Sequence, residues 1–307
     1  MNATARCMKR DPAGGLRYDP GAHFEVRTRD VEYRHDGSKS WLARIYEPQG
    51  AGPFPMLIDI HGGGWCKYDR LEDAPVDSEL ARHGIFVAAL DFHLSSEAPY
   101  PASLADINYA IRWFKARAAD FNASANGVGA IGFSSGGHQA MLSAMRPGDP
   151  RYAAFSLPQA PELDAALAYV IVCWPVIDPH ARHLYAQSIG NEFLVSTSEN
   201  YFRSPDGTRE GNPSAILERG EQARTPPALY LQGTADVAVP VHLAQDFAGA
   251  YARAGGHIEL YMAPGAPHIF LRQESDAARR GMALIKSFIQ RQLDHTTVAP
   301  GGPDHKR

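Results

Sequence analysis

The apolar run Val128 to Phe133 has strand length and ends abruptly in Ser134-Ser135-Gly136-Gly137, after which a helical pattern reaches about Met145. A buried strand that turns at once into a helix leaves little room for side chains, and Gly132, Gly136 and Gly137 let the backbone make the bend. That junction belongs to sheets in which strands and helices alternate, and the rest of the 307-residue chain keeps the same rhythm. Phe24 to Tyr33 and Trp41 to Tyr46 read as a hairpin turning at Asp36-Gly37. Apolar runs of strand length then recur at Met56 to Ile60, Ile85 to Leu90, Ala168 to Val176, Ala228 to Gln232 and Ile258 to Met262. Helical spacing occupies Leu71 to His83, Pro101 to Ala119, Val241 to Ala254 and Asp276 to Leu293. The expected product is a mostly parallel central sheet of about eight strands with helices on both faces, because crossovers between parallel strands are right-handed. Ligands then belong outside the carboxyl ends of the strands.

The segment from Asp178 to Thr225 breaks the alternation: it is long and polar, with Tyr185, Phe193, Leu194, Tyr201 and Phe202 scattered through it, and is expected to form a partial lid over a single domain spanning 1–307. The tail 298–307 reads as disordered.

Gly132-Phe133-Ser134-Ser135-Gly136 fits G-x-S-x-G, in which the serine sits on a sharp strand-to-helix turn with its hydroxyl presented outward. A serine hydroxyl is a poor nucleophile at neutral pH and needs a base within hydrogen-bond reach, and the base needs a carboxylate to set its tautomer. Asp236 closes Gly233-Thr234-Ala235-Asp236 after one strand, and His268 closes Pro264-Gly265-Ala266-Pro267-His268 after the next. Among 13 histidines, His138 lies inside the helix after Ser134, His242 opens another helix and His257 opens a strand, so His268 is the expected base. Asp178, after the preceding strand, competes with Asp236 for the carboxylate role. His61-Gly62-Gly63-Gly64-Trp65, at the end of an apolar strand, supplies close-approaching backbone, and the N–H groups of Gly63, Gly64 and Ser135 are the expected oxyanion donors. His61 is expected to hold that loop by a hydrogen bond. Trp65, Tyr201 and Phe202 are the expected walls of an apolar substrate pocket.

The composition excludes several alternatives. A net charge of −4 offers no basic surplus for nucleic acid or an anionic membrane. No stretch approaches the ~20 apolar residues of a membrane span, and Met1 to Pro20 has no apolar run like a secretory leader, so a cytoplasmic location is expected. Cys7, Cys66 and Cys173 are too few and too far apart for a disulfide framework or a zinc site, and neither a metal nor an organic cofactor is expected. A homodimer stays open, since twofold dimers are common but no exposed apolar stripe can be assigned.

His61 to Trp65, Leu90-Asp91-Phe92-His93-Leu94 with Glu97 and Pro101, Asp106, Trp113, Gly132 to Gly137, Asn212-Pro213-Ser214, Gly233 to Pro240 and His268 together resemble the α/β-hydrolase carboxylesterases related to hormone-sensitive lipase, including the acetyl- and feruloyl-esterase-like group. The resemblance runs from about Val31 to Gln290 and implies the α/β-hydrolase fold and hydrolysis of a small-molecule ester through an acyl-enzyme on Ser134. Two departures bear on the substrate. The family's usual Tyr-Arg-Leu-Ala-Pro-Glu stands here as Phe92-His93-Leu94-Ser95-Ser96-Glu97, and the Asp-Pro-Leu run of the lipase-like branch is missing, which argues against lipids. Kynurenine formamidases resemble the group too, but typically carry a tyrosine where Gly64 stands, which leaves an arylformamidase as the alternative. A hydrolase-fold protein that only binds a ligand is the third reading, against which the full Ser134, His268 and Asp236 set weighs.

Overall fold

The computed structural model describes residues 18–296, so the tail read as disordered and Cys7 lie outside the described residues. Eight strands form one sheet: β1 (Val26–His35), β2 (Ser40–Pro48), β3 (Phe54–Ile60), β4 (Phe86–Leu90), β5 (Ala123–Phe133), β6 (Tyr169–Cys173), β7 (Ala228–Gly233) and β8 (Ile258–Ala263). Their order is β1-β2-β4-β3-β5-β6-β7-β8, with β1 and β2 antiparallel and every pair from β4 to β8 parallel. The expected sheet is therefore present, and its antiparallel edge is the opening hairpin.

Period-two alternation divides the core into two layers. Met56, Ile58 and Ile60 of β3, Ala130 of β5 and Val172 of β6 pack with α2 (Ala102–Ala116), α3 (Ser135–Met145) and α8 (His242–Arg253). Leu57, Ile131, Ile171 and Leu231 face the other way, onto α1 (Ala74–Arg82) and α9 (Asp276–Thr296). Both layers are continuous apolar clusters, as strands covered on both faces require.

The polar segment after β6 holds more regular structure than its composition suggests. It folds into α4 (Pro179–Ser188), α5 (Glu192–Phe202), α6 (Pro205–Glu210) and α7 (Pro213–Glu218). Each helix is started by a side chain accepting a backbone N–H: Asp178 from Ala181, Asn191 from Leu194, Ser204 from Gly207 and Asn212 from Ala215. Asp-Pro, Ser-Pro and Asn-Pro are cap-plus-N1 signals, legible in the sequence, that hydrophobic periodicity alone passes over.

Strand β3 carries one residue against its pattern. Asp59 points into the α1 and α9 layer, where it meets Asp73, Asp77 and Arg272, and the carboxylate oxygens of Asp77 lack a hydrogen-bond partner among the described residues. Burial, reinforced by the neighbouring aspartates and opposed by Arg272, raises Asp59 and Asp77 well above the carboxylate range. Burial, opposed by the Arg272 charge and hydrogen bonds, pushes Asp73 up to about 6. These carboxyls keep protons in the folded chain that the unfolded chain has released above its ordinary value of 3.8, so they make stability fall as pH rises through about 6 for Asp73 and further for the other two. Asp77→Asn removes one such group. Its melting temperature is expected to gain on the wild type by a few degrees between pH 5 and pH 7, at ~1.4 kcal/mol per pH unit. Parallel melting-temperature curves for the two proteins would show that Asp77 ionises freely in the fold.

Candidate active site

The bend expected at the end of β5 is made at Ser134, whose φ of 53° and ψ of −116° lie outside the regions a serine ordinarily occupies. The turn is held on both sides, because Ser134 N–H donates to Cys173 O at 2.9 Å and Ser134 O accepts from Val176 N–H at 3.0 Å. It also requires a glycine two residues on. A Cβ on Gly136 would lie 2.0 Å from Ile60 O and 2.3 Å from His61 O, both of them backbone atoms that cannot swing aside. Gly136→Ala is therefore expected to cost more than the ~1–3 kcal/mol of ordinary overpacking, although alanine is the better helix former. Gly249→Ala in α8, where the new methyl meets only the end of the Arg253 side chain, should instead gain up to ~1 kcal/mol. Thermal melting of the two variants checks both signs.

Three loops at strand carboxyl ends converge on the bend. His268 Nε2 lies 3.1 Å from Ser134 Oγ, and His268 Nδ1 lies 2.7 Å from Asp236 Oδ2. A carboxylate only accepts, so Nδ1 carries the proton and Nε2 is left to accept from the serine hydroxyl. Ile269, at a φ of 59°, turns the chain sharply after the histidine, and the Trp174 ring packs 5.9 Å from the imidazole. Asp236 is itself saturated: Oδ1 accepts from the N–H groups of Ala238 and Val239 at 2.8 and 3.0 Å, and Oδ2 accepts from Gln232 Nε2 at 2.8 Å as well as from His268. Burial alone would raise its pKa, but the His268 bond and charge together with the two backbone donors outweigh burial and hold it below the usual carboxylate value. Gln232 was not singled out in the sequence, although an amide closing the apolar run Leu229-Tyr230-Leu231 is a signal that something polar awaits it.

The competing carboxylate is used elsewhere. Asp178 caps α4 and accepts from Asn212 Nδ2 at 2.8 Å, which also explains the Asn212-Pro213-Ser214 motif as a clasp between α4 and α7. His138 is fully buried, accepts from Trp65 Nε1 at 3.2 Å and donates from Nε2 to Gly211 O at 2.6 Å. Burial, opposed by the Gly211 bond, brings His138 down to about 4, so it stays neutral.

The glycine loop after β3 folds back beside Ser134. Gly63 and Gly64 have φ of 105° and 62°, and both line a cavity of about 310 Å³ together with Ser134 and His268. The loop is tied to the residue after the serine, since Trp65 N–H donates to Ser135 Oγ at 3.1 Å. His61 donates from Nδ1 to Gly62 O at 2.8 Å and stacks on Phe92 at 4.3 Å. Burial brings it down to about 4, and it serves the loop as a neutral structural group. The other motif residues brace the same region: Asp106 accepts from the His93 N–H and ring and from Arg34, and Ser95 N–H donates to Trp65 O at 2.7 Å.

The three aromatic residues expected to wall the pocket do not do so. Trp65 and Tyr201 stack face to face at 4.8 Å, Phe202 meets both edge-on, and all three are buried behind the glycine loop, where they join α5 to the core. Trp65, at a φ of 61°, has its ring in that cluster and not in the cavity lining. The apolar walls are Tyr68, Trp174, Val176, Phe193, Leu194 and Val239. Phe193 stands in the sequence as one aromatic of the long polar segment, and only the packing of α5 distinguishes it from Tyr201, eight positions on. No group of three or more histidine, cysteine or acidic side chains among the described residues could hold a metal ion. Among the same residues, no helix is long and apolar enough to cross a membrane.

An eight-stranded, mostly parallel sheet with a serine on a strained strand-to-helix bend, a histidine and an aspartate beyond later strands and a glycine loop beside them defines an α/β-hydrolase. The BD-FAE family model matches residues 44–251, more than half of the chain, and the chain belongs to that family. Among curated proteins it is 29% identical to Esterase LipC of Mycobacterium tuberculosis over 83% of this chain and 62% of that one. It is 25% identical to the probable carboxylic ester hydrolase LipM of the same organism, over 97% of this chain and 71% of that one. This chain thus spans less than two thirds of the length of LipC. Of solved structures, propionate-bound esterase 2 of Thermogutta terrifontis shares the fold, with a TM-score of 0.67 at 24% identity over 91% of this chain and 97% of that one. The acetyl ester-xyloside bifunctional hydrolase of Caldicellulosiruptor lactoaceticus shares it with a TM-score of 0.70 at 21% identity, over 86% and 96%.

Proposed function

We propose that the protein is a serine carboxylic-ester hydrolase acting on small esters, with Ser134 as nucleophile, His268 as general base and acid, and Asp236 fixing the imidazole tautomer. The observation that carries the reading is the unbroken chain of hydrogen bonds from Ser134 Oγ through both ring nitrogens of His268 to Asp236. The names of its relatives, LipC an esterase and LipM a probable carboxylic ester hydrolase, support the same reaction class.

In this mechanism, His268 Nε2 takes the Ser134 proton as Oγ attacks the ester carbonyl carbon. The developing oxyanion is received by the N–H groups of Gly63, Gly64 and Ser135, the last being the first residue of α3 and therefore at the positive end of the helix. The imidazolium, stabilised by the ionised Asp236, returns the proton to the leaving alcohol. Water then repeats the sequence on the acyl-enzyme, releasing the acid and restoring Ser134. Segment 178–225 contributes Arg182, Phe193 and Leu194 to the cavity wall and acts as the partial lid, and its nearness to the bend limits the acyl group to a short one.

Hydrolysis of p-nitrophenyl esters from acetate to decanoate, beside N-formyl aromatic amines, tests the assignment. Short esters are expected to turn over, with rates falling as the acyl chain outgrows the cavity. Turnover confined to the formamides would replace the ester reading with an arylformamidase, and turnover of neither would leave a ligand-binding protein.

A further inference from the structure

The cavity beside Ser134 holds a charge pattern that hydrolysis of a neutral ester does not need. Lys67, Arg182 and Arg272 line it, and among the described residues no carboxylate side chain does. Arg272 is already answered, by Asp73 at 2.7 Å and by Glu72. Arg182 is not. It is only 2% exposed, and its contacts are with neutral oxygens, Nη1 donating to Leu194 O at 3.0 Å and Nη2 to Thr197 Oγ1 at 3.4 Å. Its Nε has no partner, and among the described residues no carboxylate stands within ion-pair distance of it. The Trp65 ring 5.3 Å away offers a cation–π contact, which compensates a buried guanidinium only in part. Burial accordingly brings Arg182 down to about 10, which still leaves it charged at neutral pH.

Its place is also well defined. The Thr197 that it reaches packs on the glycine loop, where a Cβ on Gly64 would come within 3.0 Å of Thr197 Cγ2. Arg182 is thus held against the loop expected to bind the oxyanion, on the wall built by α4 and α5. At the rim Lys67, exposed and likewise without a carboxylate partner among the described residues, lies over the exposed Phe193 ring at 4.2 Å. A guanidinium that is buried, charged and short of acceptors in a small substrate cavity suits a planar anion with paired oxygens, and a second cation at the entrance suits its capture from solution.

We propose that the cavity selects esters that carry a carboxylate a few carbons from the scissile bond, with Arg182 as the specificity-determining residue that pairs with it and Lys67 drawing it in. The inference rests on the ester-hydrolase reading above. The reaction is unchanged: water cleaves the acyl–oxygen bond and the remote carboxylate passes into one of the two products.

The test compares matched substrates by pH-stat. Monomethyl glutarate against methyl pentanoate places the charge on the acyl side, and 4-acetoxybutanoate against butyl acetate places it on the alcohol side. In the wild type kcat/KM is expected to favour the anionic member of one pair by about tenfold or more, and the favoured pair tells which product keeps the charge. Arg182→Met should bring that ratio to within about threefold of unity, mainly through KM, with Arg182→Lys restoring part of it. If the wild type turns over the neutral esters and shows no preference for their anionic partners, the proposal fails and the ester reading stands. Equal losses on both members in Arg182→Met would make Arg182 a brace for α5 and overturn the assignment, as would loss of the preference in Lys67→Met with its retention in Arg182→Met. If no ester is turned over, the ester reading fails and the proposal with it. A readout on the wild type alone guards against a variant that does not fold: glutarate should inhibit hydrolysis of p-nitrophenyl acetate competitively and at least about tenfold better than glutaramide, and equal inhibition by the two overturns the proposal.

Discussion

Replacing Ser134 by alanine is expected to lower kcat for a short ester by about 10⁴- to 10⁶-fold while leaving KM within a few-fold and the melting temperature little changed. The size of the loss follows from the geometry. Oγ is the atom that His268 Nε2 reaches at 3.1 Å, and among the described residues of the cavity lining no other hydroxyl stands in its place except that of Tyr68, which belongs to the exposed rim. Stability should change little, because the backbone is held at a φ of 53° whatever the side chain and alanine gives up only one part-buried hydroxyl and its bond to the imidazole. Because the three side chains would act as a unit, Ser134→Ala with His268→Ala should cost little more than either change alone. Steady-state kinetics of the two single variants and the double variant decide the matter. Losses that add would show that Ser134 and His268 act separately.

The second large effect is expected at Asp236. Asp236→Asn keeps the shape of the side chain and should still lower kcat by ~10⁴-fold, because the amide presents an N–H where His268 Nδ1 now donates. All the groups around the carboxylate are donors, namely Ala238 N–H, Val239 N–H, Gln232 Nε2 and His268 Nδ1, so an asparagine cannot satisfy them all in either orientation. The imidazole is then driven to the tautomer with its proton on Nε2, facing Ser134, and can no longer accept the hydroxyl proton. The same crowd of donors sets a pH limit. Asp236 is held below the ordinary carboxylate value, so its stabilising contribution is full above that value and is lost only as pH falls through its lowered one. Asp236→Asn should therefore melt below the wild type at neutral pH, with the difference shrinking in acid. Retention of a tenth or more of the wild-type kcat by Asp236→Asn would sink its role as the partner of His268.

The sheet and the residues gathered at its carboxyl ends were legible in the chain because they rest on local signals. Apolar runs of strand length, glycines where backbone must bend, and the placement of Ser134, Asp236 and His268 just after successive runs are all short-range features that survive without tertiary information. The residues of the cavity wall were not legible in the same way. Tyr201 and Phe202 look as suited to a pocket as Phe193, yet they are buried against Trp65 while Phe193 lines the cavity, because the roll of α5 against the glycine loop chooses which face is covered. Helix caps at Asp178, Asn191, Ser204 and Asn212 were readable and would have given the polar segment its helices, but not their packing.

Sequence by itself therefore determined the class of fold, the strand-to-helix bend at Ser134 and the order of serine, aspartate and histidine, all of which are written in spacing along one chain. Only the tertiary structure decided that Gln232 closes the hydrogen-bond shell of Asp236, that Asp178 is spent on a cap, that Asp59, Asp73 and Asp77 share one buried pocket with Arg272, and that Arg182 lines the cavity beside Ser134 without a counterion among the described residues. The physical reason is common to all four. Each depends on the desolvation and charge of groups brought together from distant segments, and burial of that kind has no signature in the neighbours a residue has along the chain.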